Sequence, residues 1–388
     1  MKKNNLSDVK KANRQLVYEC IWSHKSVTMT DLAYVTHLSR PTITSLVQEM
    51  TADNLVIKSG YGTSNGGRNP VLYHANVNAA YAMGIDLEFP KVRMALSNLE
   101  CENICFSVRI YPKDADKDQV LQLMKQQIDD LLLESGIDKN RLLGVGIGVP
   151  GVIDYKNNYS VFFERINGWE NVLIGDIIQE YIGKPVYICN DVNLISWAER
   201  KVAHLEDIKN MLYIIIRSGI GMAIWNDGSL MQGEMGNSGR IGHMTVDKNG
   251  LQCKCGNRGC LGLYTSEKSM IRMYGELTGK ELKWAGELFP LAEAGDAAAL
   301  QVFETCGRYL GTGIVNVANL FDISEVVLST SFDSSYILKS AQYALDARKM
   351  NTIRREVKVR KGLLQESSFG LGGCLLVLNK EHMSLLEG

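Results

Sequence analysis

The first fifty residues carry three short runs of helical periodicity. Apolar residues recur at helical spacing between Val9 and Trp22 (Leu16, Val17, Cys20, Ile21), Ser26-Val27-Thr28 interrupts them, and a second helix fits Met29 to Thr36. Ser39-Arg40-Pro41-Thr42 then opens a third helix that runs to about Asp53. Ser39 can cap it, and proline is tolerated in a first turn whose N–H groups have no intrahelical partner. Leu55–Gly60 and Val71–His74 read as strands on either side of a loop rich in Gly, Ser and Asn, which predicts a β-hairpin directly after the third helix. Three helices followed by a hairpin predict a winged helix-turn-helix, with a junction near Asn76–Ala79.

A new pattern starts at Tyr81. Three strand-like segments (Tyr81–Leu87, Lys91–Ser97, Cys101–Ile110) precede an amphipathic helix through Gln119, Val120, Leu123, Met124, Ile128, Leu131 and Leu132, and then the apolar strand Leu142–Val149. This β-β-β-α-β order opens an actin-like, ribonuclease-H-like lobe, and strands near Val186–Cys189 and Met211–Ile216 with later helices predict a second lobe. The expected class is α/β. The expected division is residues 1–78 as the helix-turn-helix domain and 79–388 as the body, with lobe one about 79–188 plus about 364–388, and lobe two about 189–363.

Charge sharpens this division. The 388 residues carry a net charge of −1, but residues 1–74 hold nine Lys/Arg against five Asp/Glu, and the remainder 33 against 38. A basic front on a mildly acidic body fits a nucleic-acid reader attached to something else. On the third helix Ile43, Leu46, Val47 and Met50 form one apolar face, leaving Arg40, Thr42, Thr44, Ser45 and Gln48 to meet base edges and phosphates in a major groove. The alternative is a solvated face on a small helical domain. In the wing, Ser64-Asn65-Gly66-Gly67-Arg68-Asn69-Pro70 places Arg68 beside glycines that would not obstruct its entry into a narrow minor groove, unless this is only a flexible turn. The expected partner is a double-stranded operator, bound by a homodimer or homotetramer. No run approaches the roughly 20 apolar residues of a membrane span, and the start shows no signal-peptide core, so a cytoplasmic protein without membrane association is expected.

The nine cysteines are an odd number, and Cys253, Cys255 and Cys260 fall close together, which favours a metal site in a reducing compartment over a disulfide framework. With His243 they offer the four N/S ligands of a closed tetrahedral zinc site, structural because no position is left open for water. Three buried thiols are the alternative.

These strings resemble the ROK family of repressors and sugar kinases. Asn13-Arg14 with Leu16-Val17, the wing Gly66-Gly67-Arg68-Asn69-Pro70, Gly242-His243 and Cys253-x-Cys255-Gly256-Asn257-Arg258-Gly259-Cys260 match its repressor branch, and the resemblance covers nearly the whole chain. It implies a sugar-kinase-like body with a zinc-binding loop. Gly146-Ile147-Gly148-Val149-Pro150-Gly151 is similar to the strand leading to the sugar cleft, and Asn190-Asp191-Val192-Asn193 to the sugar-binding segment in which Asp191 is the relic of the general base. Asn190, Asp191, Arg240 and His243 are the implied ligand-binding residues.

Departures from the family pattern carry as much information. Active members have Asp-x-Gly-Gly-Thr where this chain has Asp86-Leu87-Glu88-Phe89-Pro90; Glu88 repels phosphate, Phe89 fills the space of a glycine and Pro90 removes an N–H donor. A Gly-Thr-Gly-Ile-Gly loop reads Arg217-Ser218-Gly219-Ile220-Gly221, and a late Gly-rich turn reads Ser329-Thr330-Ser331. No ATP binding and no catalytic residue are therefore expected. Two pocket glutamates of the family are replaced by Arg240 and Gly262. The sugar or sugar-derivative effector is then either acidic or phosphorylated, selected by Arg240, or lost altogether, with Arg240 pairing a carboxylate such as Glu234. The remaining alternatives are an active kinase with an added DNA-binding arm and a ligand-independent regulator controlled by a protein partner.

Overall fold

A computed structural model describes residues 6–63, 69–348 and 355–386. Helices Leu6–His24 (α1), Met29–Thr36 (α2) and Arg40–Ala52 (α3) enclose Val17, Tyr18, Ile21, Leu32, Ile43, Leu46, Val47 and Met50. Both short helices begin where their caps dictate. Thr28 and Asp31 cap each other at α2, and the Ser39 side chain accepts from the Thr42 N–H at α3. An antiparallel hairpin, Val56–Tyr61 (β1) and Val71–Ala75 (β2), follows with a bulge between Lys58 and Gly60. The hairpin tip, Ser64 to Arg68, lies outside the described residues.

The next sheet is laid down by Tyr81–Glu88 (β3), Lys91–Ser97 (β4) and Asn103–Ile110 (β5), an antiparallel meander. β5 starts later than its pattern predicts because Cys101 sits at φ +61° in a turn closed by its N–H on the Asn98 carbonyl. Helix Lys117–Ser135 (α4) is held by the Asp116/Gln119 capping box and ended by Gly136 in the left-handed region. Strand Leu142–Val149 (β6) returns parallel to β3. A small sheet of Val152–Asp154 (β7), Tyr159–Phe162 (β8) and Glu170–Val172 (β9) leads through helix Ile174–Ile182 (α5) to Val186–Asn190 (β10), giving the order β10-β6-β3-β4-β5.

Helix Asp191–Val202 (α6) links this sheet to a second one. Met211–Ile216 (β11), Ile220–Asn226 (β12) and Ser229–Leu230 (β13) are followed by the short helix Gly262–Thr265 (α7), then Glu267–Thr278 (α8), Leu288–Glu293 (α9) and Ala297–Phe321 (α10). Glu325–Thr330 (β14), Ser335–Asp346 (α11) and Lys358–Lys361 (β15) complete the order β13-β12-β11-β14-β15. Each five-stranded sheet has its own apolar core, one around Met83, Ile147 and Trp169, the other around Ile214, Phe303 and Leu328. Among the described residues no helix is long and apolar enough to cross a membrane.

The C-terminal helix Leu371–Glu381 (α12) comes back onto the first sheet with its backbone against the strands. A Cβ on Gly84 would lie 1.8 Å from the Gly370 carbonyl oxygen, and one on Gly146 2.1 Å from that of Gly373, so both strand positions require glycine. Beyond α12 the turn His382–Leu386 reaches the N-terminal module. The His382 ring lies 4.3 Å from that of Trp22, its Nε2 is 3.2 Å from the Tyr18 hydroxyl, and Leu386 joins the core of α1–α3.

Candidate functional site

A cavity of about 190 Å³ opens where β6, β10 and the N-terminus of α6 face the β11–β12 turn. Asn190, Asp191, Arg217, Arg240, His243 and Glu88 all line it, so the four ligand-binding residues expected from sequence converge on one cleft. Asn190 ends β10, and its side-chain oxygen accepts from the Val192 N–H at 3.2 Å, capping α6 and leaving its amide N–H groups available. Asp191 is the first residue of that helix. Burial pushes its pKa up to about 6, Arg217 pulls against this, and the Asp86 carboxylate adds to the rise.

Arg240 does not pair with Glu234. Its Nη2 donates to the Gly151 carbonyl at 2.5 Å and to Asn237 Oδ1 at 2.7 Å, which binds the segment before His243 to the turn after β6. Gly262 lines an adjoining cavity of about 650 Å³ together with Gly151, Arg240 and His243, although a Cβ there would lie 3.2 Å from the Gly242 carbonyl oxygen.

The turn in which a kinase cradles phosphate is filled by a charge network. Arg93 Nη1 lies 2.7 Å from Asp86 Oδ2 and 2.5 Å from Glu88 Oε2, and its Nε is 3.1 Å from Glu366 Oε1. Arg217 reaches the same acids from the opposite sheet, with Nη2 3.4 Å from Asp86 and Nε 3.5 Å from Glu88, while Nη1 stands 3.8 Å from Asp191 Oδ2. Both guanidinium groups lie over the Phe369 ring, 4.5 and 4.9 Å from its centroid. Burial opposes the Glu88 charge, but Arg217, Arg93 and Lys91 outweigh it and hold the carboxyl below its usual range. Glu88 thus does more than repel phosphate; it ties down two arginines. Sequence reasoning missed Arg93, Glu366 and Phe369. The signal was present in Asp86-x-Glu88 and Lys91-x-Arg93, which pair directly across the β3–β4 hairpin as Asp86 with Arg93 and Glu88 with Lys91. The late turn is also engaged, with the Ser331 hydroxyl donating to Glu267 at 2.5 Å.

Beside the cleft, one ligand atom from each of His243, Cys253, Cys255 and Cys260 lies within 4.8 Å of the others, a set that could hold a metal ion. Cys255 and Cys260 sulfurs are 3.6 Å apart, and Cys253 Sγ is 3.9 Å from His243 Nδ1. A tetrahedron with metal–sulfur bonds of about 2.3 Å has edges of about 3.8 Å, so the spacing fits that geometry. His243 lines the cleft and belongs to this cluster.

On α3 the apolar face is buried and Arg40, Ser45 and Gln48 are exposed. The hydroxyl protons of this helix have local uses: Thr44 donates to the Arg40 carbonyl at 2.9 Å, Ser45 to Glu49 at 3.0 Å, and Thr42 lies 2.8 Å from the Ser39 hydroxyl. Arg40 and Gln48 have no side-chain polar partner among the described residues. Arg68 lies outside them.

The ROK family model matches residues 82–379. A xylose repressor of Bacillus spizizenii is 31% identical over 377 residues, covering 96% of both chains. Among solved structures, a ROK family transcriptional regulator described as a homologue of the Escherichia coli Mlc protein superposes with a TM-score of 0.80 at 24% identity, over 98% of this chain and 100% of that one. A ROK hexokinase from Thermus thermophilus gives 0.64 at 25% identity, over 79% of this chain and 100% of its own.

Proposed function

The chain belongs to the ROK family, and we propose that it is a DNA-binding transcription repressor of carbohydrate genes that releases its operator when a neutral sugar binds the cleft. Residues 1–78 are the winged helix-turn-helix reader and 79–388 the sensor, with lobe one taking in α12 and lobe two lying between α6 and β15. The observation that carries this reading is the Arg93–Glu88–Arg217 network, which takes up the phosphate turn of a kinase-like body and leaves the cleft as a site that binds without transferring. The full-length match to a xylose repressor, reader included, supports the same reading.

The neutral character of the effector follows from the charges. Of the groups lining the inner cavity, Glu88 and Asp191 balance Arg217 and Arg240, and Arg240 is already engaged by Gly151 and Asn237. Within this inner cavity the two acids match the two arginines, and hydroxyls can both donate to Asp191 and accept from Asn190. Xylose and similar monosaccharides fit this class.

His243, Cys253, Cys255 and Cys260 would hold zinc, which supplies a fixed tetrahedral anchor rather than a reactive centre. Because His243 belongs both to this cluster and to the cleft, lobe movement on sugar binding reaches the loop Gly242–Cys260. In a homodimer two α3 helices enter successive major grooves, and a change in lobe closure alters their spacing.

The test is fluorescence anisotropy of the purified protein on promoter DNA from its own genomic neighbourhood, with and without D-xylose, D-glucose or N-acetyl-D-glucosamine, alongside ADP release from ATP-Mg in the same mixtures. Operator binding relieved by one sugar, without ADP release, is expected. ADP release at a turnover typical of kinases would reverse the assignment in favour of the enzyme.

A further inference from the structure

Arg217 stands where the family has a phosphate-loop residue, yet its guanidinium is aimed away from solvent into the sugar cavity. Two of its three nitrogens face acids across the lobes, Nε toward Glu88 and Nη2 toward Asp86, and the Phe369 ring lies against its plane. The third, Nη1, is buried and has no hydrogen-bond partner. It faces Asp191 Oδ2 across 3.8 Å, too far for a direct hydrogen bond. No protein acceptor is within hydrogen-bond distance of this buried charged donor, so a polar atom bound beside it can complete its bonding.

We propose that Arg217 is an effector-binding residue, and that it and Asp191 together read one free hydroxyl of the sugar. The proposal rests on the repressor reading above and names the chemistry its effector must have. A hydroxyl oxygen can lie within about 2.8 Å of both atoms, accepting from Nη1 while its own proton goes to the carboxylate. An ether oxygen accepts but cannot donate, and an ammonium donates but cannot accept. A phosphate ester at that position would bring a dianion between Glu88 and Asp191, and a deoxy carbon would leave both partners unpaired. The space that a kinase gives to the transferred phosphoryl group has become part of the sugar site. The protein therefore senses the sugar before it is phosphorylated at that hydroxyl, and a sugar kinase is the class of enzyme that removes its signal. Arg217, on the β11–β12 turn, also meets Asp86 and Glu88 of β3, so the residue that reads the hydroxyl is itself tied to the first lobe.

The experiment is calorimetric titration of the full-length protein with D-xylose, D-glucose and N-acetyl-D-glucosamine, then with the monodeoxy and monophosphate derivatives of whichever binds most tightly. Arg217→Lys keeps a cation between Glu88 and Asp86 but withdraws the Nη1 donor; it is expected to weaken binding of the free sugar by about tenfold to a hundredfold. One deoxy sugar should bind the parent protein as weakly as the free sugar binds Arg217→Lys, and combining the two changes should cost little more, a pattern that a purely structural arginine does not produce. The phosphate ester at the same hydroxyl should not bind. Free-sugar affinity unchanged in a folded Arg217→Lys protein, or a phosphate ester bound as tightly as the free sugar by the parent, overturns the proposal while leaving the repressor intact. If Arg217→Lys does not fold, the deoxy and phosphate series on the parent protein decides alone. Operator binding with no response to any sugar overturns the effector reading and this proposal with it.

Discussion

Replacing Glu88 by alanine should destabilise the body and, in doing so, create an anion site. The carboxylate stands 2.5 Å from Arg93 and 3.5 Å from Arg217, and its removal leaves two buried guanidinium groups short of a counter-charge. Breaking a buried ion pair from one side costs about 3–5 kcal/mol. Here Arg93 keeps Asp86 and Glu366, Arg217 keeps Asp86 and Asp191, and the Glu88 side chain is 19% exposed, so the lower end applies, about 3 kcal/mol. Urea unfolding at neutral pH measures it. Repeating the titration in inorganic phosphate against chloride of equal ionic strength tests the second part, since phosphate can enter the vacated space. With a dissociation constant of about 1 mM, 20 mM phosphate would restore about 1.8 kcal/mol to Glu88→Ala and nothing to the parent. An unchanged midpoint in Glu88→Ala together with no phosphate effect would refute the claim that this carboxylate substitutes for a bound phosphate.

Other consequences are directly measurable. The folded-state pKa of Asp191 is raised to about 6, so the folded protein holds this proton more tightly than the unfolded chain does, and the associated stability is present below about pH 4 and lost as pH rises through 6. Stability of the parent relative to Asp191→Asn should fall across that window in denaturation curves; parallel curves for the two proteins would contradict the assignment. Cys255→Ser should lower bound zinc, read by elemental analysis, from one equivalent per chain toward none, and make sugar binding insensitive to further chelation; a full equivalent retained would show that another ligand set holds the ion. Arg40→Ala and Gln48→Ala should each weaken operator binding by about 1–3 kcal/mol in anisotropy titrations and leave sugar binding untouched, whereas Thr44→Ala, whose hydroxyl proton is given to the Arg40 carbonyl, should do less. Equal losses for all three would mean that the exposed face of α3 is not read residue by residue.

How far the sequence reached depended on the range of the interaction. The starts of α2 and α3 were legible because Thr28 and Ser39 act within one turn of their own helices, and the metal string because its three thiols are close neighbours in the chain. Strand positions followed from alternation and apolar runs, with β5 displaced only where Cys101 takes a left-handed turn. The charge network was not legible in full. Arg217 is 131 residues from Asp86, and Glu366 is 273 from Arg93, separations that leave no local period to detect. Two of the departures that sequence records separately, Glu88 and Arg217, are partners in one charge network in the folded chain. Arg240 was visible as a departure, but its partners Gly151 and Asn237 were not, because a carbonyl acceptor in a turn carries no signature of its own.

The turn His382–Leu386, set against Trp22 and Tyr18, bears on how the molecule is made. Tyr18 and His382 are 364 residues apart, so a ribosome delivers the surface that docks the first helix long after that helix has been made. Helices α1–α3 and their hairpin are made long before, and Leu386 then joins their core. A chain lacking His382–Leu386 would carry α1–α3 without this fastening to the body. The contact between His382 and the first helix therefore joins reader and sensor only after both have been synthesised.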